Sequence, residues 1–388
     1  MQVIYAHTAL PTRCLASIFL AGPTPRAAPT PSWRPEALAL LRARGFEGTV
    51  FVPEPEDGRF RDDYDAQVAW ETAALARADC VLFWVPRDLD AMPAFTTNDE
   101  WGHLKDSGRV VFGAPPEAAK VRYQRWWAEH LGVAACDTLA ATVDAALDAL
   151  GPLGDGDVRE GGACDVPLLV WRRPEFQRWY ARLLAAGHRL DAARLHWTFR
   201  ARRPPRVVVL WALQVDVWIT AESRAKRNEL LLGRGDLSAT VLYRRGATLR
   251  DAEVVLVREF RSAGSGPDGF VHELPAGSSW RGADPRVTAA EEVDEECGVA
   301  LAPDALREVG ARPLAATLCV HHAHAYAFAL DAAQMEALRA SAGTPRGLVE
   351  HSEVTWVEVR RVGEILDARD VDWSTVGMIL AALVGDGA

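Results

Sequence analysis

The chain has 388 residues, of which 49% are hydrophobic and 25% charged, and it carries a formal net charge of -10. A chain of this length exceeds one ordinary core, so two domains of a soluble globular protein are expected. The acidic balance argues against a nucleic-acid backbone as partner, because such binding rests on a basic surface. No apolar run approaches the ~20 residues that span a bilayer, so no membrane partner is expected either.

The pattern in chain order predicts an open α/β domain over residues 1–150. Ser17–Ala21 (SIFLA) reads as a buried strand that runs into Gly22-Pro23. Pro35–Arg44 has helical spacing, Gly48–Pro53 reads as a second strand, and Tyr64–Ala78 as a helix. Cys80–Val85 (CVLFWV) is apolar throughout, as a strand covered on both faces would be. A helix over Asn98–Lys105 and a strand over Arg109–Phe112 continue the alternation, which implies a doubly wound parallel sheet of the flavodoxin-like kind.

Between Gly151 and Gly162 the chain is rich in Gly and Asp, as expected of a linker. Pro174–Trp197 then reads as a long helix, so residues 151–200 are taken as a linker and a bracing or dimer-forming helix. From Arg206 the pattern turns to long β-rich runs around one acidic helix, with a strand at Ala323–Leu330 and a last helix at Trp373–Val384. That mixture predicts an α/β/α sandwich over residues 201–388. The six cysteines are scattered without a C-x-x-C pair, and Leu15–Ala21 is too short for a signal-peptide core, so a cytoplasmic, reduced protein is expected.

Two groups of residues carry chemistry. In the first half, Gly22, Asp79 and Glu100 are expected near the carboxyl ends of strands, where open α/β sheets bind ligands. A carboxylate there can attack the anomeric carbon of a ribosyl group, and a second carboxyl can orient or protonate the leaving base. In the second half, Glu292, Glu295 and Glu296 are spaced i, i+3 and i+4, which places three carboxylates on one helix face. Like charges that close favour a divalent cation, and Mg2+ or Mn2+ suits oxygen ligands beside phosphate.

The segments SIFLAGP, SWRPEALALL, DYDAQVAWETAALARADCVLFWVP and TTNDEWGHL together resemble the nucleoside 2-deoxyribosyltransferase-like family, over roughly Ser17–Val133. The resemblance implies Glu100 as the nucleophile, Asp79 as the contact to the base, Gly22 and Pro23 as the substrate-side loop, and Trp70 and Glu71 as substrate-binding residues. Ala94 stands where better-characterised members carry an aspartate six residues before the nucleophile, which favours hydrolysis with water as acceptor. The family commonly completes its pocket across a subunit interface, which implies a homo-oligomer.

The stretch GSSWRGADPRVTAAEEVDEECGV (Gly277–Val299) resembles the signature box of the Nudix hydrolases. Two of its positions depart: Ala283 replaces a glutamate and Glu291 an arginine, residues that pair with each other in that family. VVLVREFRS and GFVHELPAGSSW resemble its ADP-sugar pyrophosphatase branch, which implies phosphate-side roles for Arg258, Arg261 and Glu273, metal binding by Glu292, Glu295 and Glu296, and a catalytic Glu296. A further glutamate from a later loop would be Glu350 or Glu353. His321, His322 and His324 have no fourth ligand at a useful spacing, so zinc is not expected. The expectation is a bifunctional enzyme of small nucleosides or nucleotides that cleaves an N-glycosidic bond and then a diphosphate, with NAD and ADP-ribose as attractive substrates. The alternative is an N-glycosidase regulated by a nucleotide-sensing, non-catalytic second domain.

Overall fold

A computed structural model describes residues 1–25, 30–58, 63–201, 207–264, 268–278, 283–346 and 354–385. The chain divides into two compact units, Met1–Leu232 and Gly233–Ala388.

The first unit is built on a six-stranded parallel sheet. Its strands are β1 (Gln2–Tyr5), β3 (Ser17–Ala21), β4 (Thr49–Val52), β5 (Cys80–Trp84), β6 (Val110–Gly113) and β7 (Ala135–Cys136), in the order β1-β4-β3-β5-β6-β7, with β2 (Arg13–Cys14) lying off it. Helices α1 (Arg34–Ala43), α2 (Tyr64–Arg77), α3 (Phe95–Leu104), α4 (Arg122–Leu131) and α5 (Leu139–Leu150) connect and flank the strands. Every residue of β3, β4, β5 and β6 is buried, as the apolar runs require for strands covered on both faces. The flavodoxin-like expectation holds. The sequence reading did not name β1 or α4: QVIY is a short edge strand, and α4 carries exposed Tyr123 and Trp126 on one face.

Residues 151–200 do not form a linker followed by one helix. Asp157 and Arg159 are buried, and β8 (Arg159–Glu160) pairs with β2. Short α6 (Leu168–Trp171) and α7 (Pro174–Ala185) follow. Helix α7 stops because Gly187, at φ +75°, takes the left-handed conformation that glycine adopts without penalty. The chain then forms β9 (Arg189–Arg200), which pairs antiparallel with β10 (Val208–Ile219); β11 (Arg224–Arg234) completes a three-stranded sheet. Cross-strand pairing with β10 overrides the helical propensity of LDAARL. The expected boundary at residue 200 thus moves to Leu232/Gly233, because these strands pack with the first unit.

The second unit holds a seven-stranded mixed sheet. It comprises β12 (Leu237–Arg244), β13 (Glu253–Phe260), β14 (Phe270–Glu273), β15 (Ala276–Ser278), β16 (Arg307–Pro313), β17 (His322–Ala329) and β18 (Thr355–Arg361). Helices α8 (Pro285–Cys297), α9 (Ala332–Ala340), α10 (Val362–Ala368) and α11 (Trp373–Gly385) accompany it. One apolar cluster joins β12 and β13 to α10 and α11 through Val254, Ile365 and Ile379, and another joins α8 and α9 to the sheet through Val293 and Met335. This is a second α/β region. No helix among the described residues is long and apolar enough to cross a membrane.

Candidate functional site

A cavity of about 370 Å3 opens at the carboxyl edge of the parallel sheet, lined by Gly22, Pro23, Arg34, Glu71, Ala94 and Glu100 among others. Strand β3 is flanked by β4 on one side and β5 on the other, so the chain reverses its winding there, and such a switch point leaves a crevice. Gly22 is required by close approach: a Cβ at this position would overlap the Trp84 carbonyl oxygen. The loop that follows is held from below. Trp33 donates its indole N–H to the Pro23 carbonyl at 3.1 Å. The buried Arg34 donates to the carbonyls of Leu20 (3.1 Å) and Gly22 (2.7 Å), to Thr24 Oγ1 (3.1 Å) and to Glu54 (2.6 Å). Arg34 escaped the sequence reading; its only signal was a charged residue inside the apolar start of α1.

Glu71 comes from α2 and Glu100 from α3. Burial pushes the Glu100 carboxyl up to about 8, with the Glu71 charge adding to the rise and Arg34 opposing it. Glu71 is raised too, by burial first, but a hydrogen bond from Gln67 (2.7 Å) and the charges of Arg34 and His7 favour its ionised form. Two carboxyl groups that share one pocket cannot both ionise at low cost. The Glu71 charge therefore adds to the rise at Glu100. Ala94, which begins α3, stands at φ +61° and lines the same cavity. A left-handed non-glycine residue costs about 1–2 kcal/mol, and such strain collects at functional sites.

Two expected members of this site lie elsewhere. Asp79 precedes β5 and so stands at the amino edge of the sheet, not the carboxyl edge. Its carboxylate accepts from Arg159 Nη1 and Nη2 (2.8 and 2.6 Å), the Ser17 N–H and Oγ (2.8 and 2.9 Å), and the Leu168 N–H (2.7 Å). Both side chains of this ion pair are 0% exposed, which leaves no face for a base. Trp70 is also a core residue, packed near Phe19 with its indole N–H donated to the Thr8 carbonyl at 2.8 Å.

In the second unit, Glu292 and Glu296 approach β15 from α8. A Cβ at Gly277 would overlap the Glu292 carboxylate, and Glu296 Oε2 accepts the Ala276 N–H at 3.0 Å. Burial pushes the Glu296 carboxyl up to about 8, against the pull of that N–H, and Glu292, Glu259 and Glu273 add to the rise. Arg261 lies between the last two, at 2.8 Å from Glu259 and 3.5 Å from Glu273. Arg258 pairs with Asp268 at 2.9 Å and lies over the Phe270 ring. Glu295, expected with the metal ligands, is exposed, and among the described residues no three His, Cys, Asp or Glu side chains stand in metal-holding geometry. Glu350 and Glu353 lie outside the described residues. His324 faces Asp236 at 3.1 Å, and the same carboxylate accepts the His322 N–H.

The raised carboxyls of Glu100 and Glu296 have one thermodynamic sign. Between about pH 4.5 and about pH 8 the folded protein holds protons that the unfolded chain releases. The stability they contribute is complete below that window and is lost as pH rises through about 8. The melting temperature should therefore fall between about pH 5.5 and about pH 8.5, and Glu100→Gln or Glu296→Gln should each flatten that fall. A fall of unchanged steepness in both variants would refute the assignment.

Residues 15–118 match the family model described as nucleoside 2-deoxyribosyltransferase like. The matched segment contains Gly22, Arg34, Glu71 and Glu100, that is, both carboxyls of the cavity and the arginine beneath its loop. This part of the chain is therefore a nucleoside 2-deoxyribosyltransferase-like domain, which points to an enzyme that handles an N-glycosidic bond. No curated protein matches the chain.

Proposed function

We propose that the first unit cleaves the N-glycosidic bond of a nucleoside or nucleotide, with Glu100 as nucleophile and Glu71 as its proton-handling partner. The observation that supports this reading is the pair of carboxyls, Glu71 and Glu100, that line one cavity within the matched segment. The C1′–N bond breaks with its electron pair passing to the base, while a Glu100 oxygen bonds to C1′. Water then cleaves that ester: its hydroxyl bonds to C1′ as the Glu100 oxygen departs, and its proton passes by way of Glu71 to the released base. Arg34, by holding the Gly22 and Thr24 loop, positions the sugar side of the pocket. Ala94 leaves no carboxylate six residues before Glu100, which favours water over a second base as acceptor.

For the second unit we propose hydrolysis of a nucleoside diphosphate-linked compound of the ADP-ribose type, on a Nudix-like box. The donor chemistry suits Mg2+ or Mn2+: Glu292 and Glu296 offer hard oxygens, and beyond burial the Glu292 charge adds to the rise at Glu296. The ion would polarise the diphosphate and acidify an attacking water. Arg258 and Arg261 would face the phosphates. NAD would link the two units, since loss of its base leaves ADP-ribose. The exposed Glu295 favours a second reading, in which this unit senses a nucleotide without cleaving it.

One experiment tests both halves. The full chain is incubated with nucleosides, nucleoside monophosphates, NAD and, with Mg2+, ADP-ribose, and free base and AMP are followed by chromatography. Base release from at least one substrate and AMP release abolished by Glu296→Gln are expected. No base release from any of them would sink the first assignment. ADP-ribose binding seen by calorimetry without AMP would replace hydrolysis by sensing.

A further inference from the structure

A second cavity, of about 280 Å3, opens in the first unit and is lined by Asp79, Gly108, Arg109, Ala149, Arg172 and Arg173 among others. Asp79 and Cys80 place it at the amino edge of β5, whereas Glu100 serves the carboxyl edge. Its charge balance is unusual for a chain of net charge -10. The lining carboxylate Asp79 is already engaged by Arg159 (2.6 Å), and the lining arginines Arg172 and Arg173 bond to Asp157 (2.7 Å) and Glu175 (3.2 Å). Among the described residues, Arg109 forms no ion pair, although only 6% of its surface is exposed.

The bonds of Arg109 are all made at one end. Its Nη1 donates to the carbonyls of Leu75, Ala76 and Ala78, where it closes the carboxyl terminus of α2. Its Nε is buried without a partner, and no described residue accepts from Nη2. Arg173 bonds to Glu175 through Nε, which leaves both of its terminal nitrogens without a described acceptor. A Cβ on Gly108 would lie 3.1 Å from Arg200 Nε, so a further guanidinium overlies the same cavity wall. A buried guanidinium without a directly bonded counter-charge is costly, and burial lowers the proton affinity of Arg109 although the Asp79 charge opposes the fall. Paired planar forks of this kind match the oxygens of phosphate. The volume is at or below the roughly 300–1,000 Å3 of sites for drug-sized ligands, so the group is small.

We propose that this cavity is a binding site for a phosphate or diphosphate group, distinct from the Glu71–Glu100 pocket, with Arg109 and Arg173 supplying the donors. The anion gives Arg109 a directly bonded counter-charge, and thereby ties the starts of β6 and α7 to the α2 terminus. The inference stands whether or not the N-glycosidase reading holds.

Inorganic pyrophosphate and inorganic phosphate are titrated into the full chain at constant ionic strength, with chloride as balance, and followed by thermal melting and calorimetry. Saturable stabilisation is expected, stronger for pyrophosphate than for phosphate. Arg173→Gln, and Ala149→Asp at the exposed rim, should each weaken binding roughly tenfold or more, since one removes a charged donor and the other adds a like charge to the anion. Glu100→Gln should leave it unchanged. Stabilisation that never saturates, that keeps its affinity in both rim variants, or that disappears in Glu100→Gln would overturn the proposal.

Discussion

Replacement of Glu100 by Gln is expected to lower kcat for base release by about 10²–10⁴-fold or more, with KM little changed. The amide keeps the shape of the side chain but cannot attack C1′. The pH profile gives the sharper test. Because burial pushes the carboxyl up to about 8, kcat/KM should rise about tenfold per pH unit below that value and level off above it. Glu71→Gln removes the like charge that contributes to the rise, so the limb should move to lower pH. A profile that falls through about pH 8 would show that Glu100 acts in its protonated form, as an acid, and the nucleophile would have to be sought elsewhere.

The second large effect concerns stability. Asp79→Asn puts an amide where five hydrogen-bond donors converge, and an amide nitrogen cannot accept from any of them. Arg159 would then remain buried with its counter-charge gone. Loss of one partner of a buried pair costs about 3–5 kcal/mol, which a denaturant melt of the full chain would record. The turnover of the protein that stays folded should be close to that of the parent. A variant of parental stability with lost base release would return Asp79 to the active site.

Much of the scaffold was legible because its signals are local. The apolar runs at Ser17–Ala21 and Cys80–Trp84, short and bounded by turn residues, read as strands covered twice, and the spacing in Tyr64–Arg77 reads as a helix. The carboxyl pair was half legible. Glu100 and Glu71 were both singled out, but their coupling depends on α2 and α3 meeting above one crevice. Asp79 was misplaced because an aspartate ahead of a strand and one behind it look alike in composition, although parallel strands send them to opposite edges. Its partner Arg159 lies 80 residues further on, beyond the reach of any local pattern. The break at Gly187 was present in the sequence but outweighed by the alanines and leucines around it.

The Asp79–Arg159 contact also fixes what can be excised. The stretch that matches the family model ends at residue 118, yet the arginine that neutralises the amino edge of its sheet, and the Leu168 N–H beside it, come from further along the chain. A fragment cut at 118, or at the helix end near 150, would lose the guanidinium and the N–H that meet this carboxylate. The stretch that matches the family and the stretch that carries the partners of Asp79 therefore differ in length, and the longer one has to be made to study the shorter.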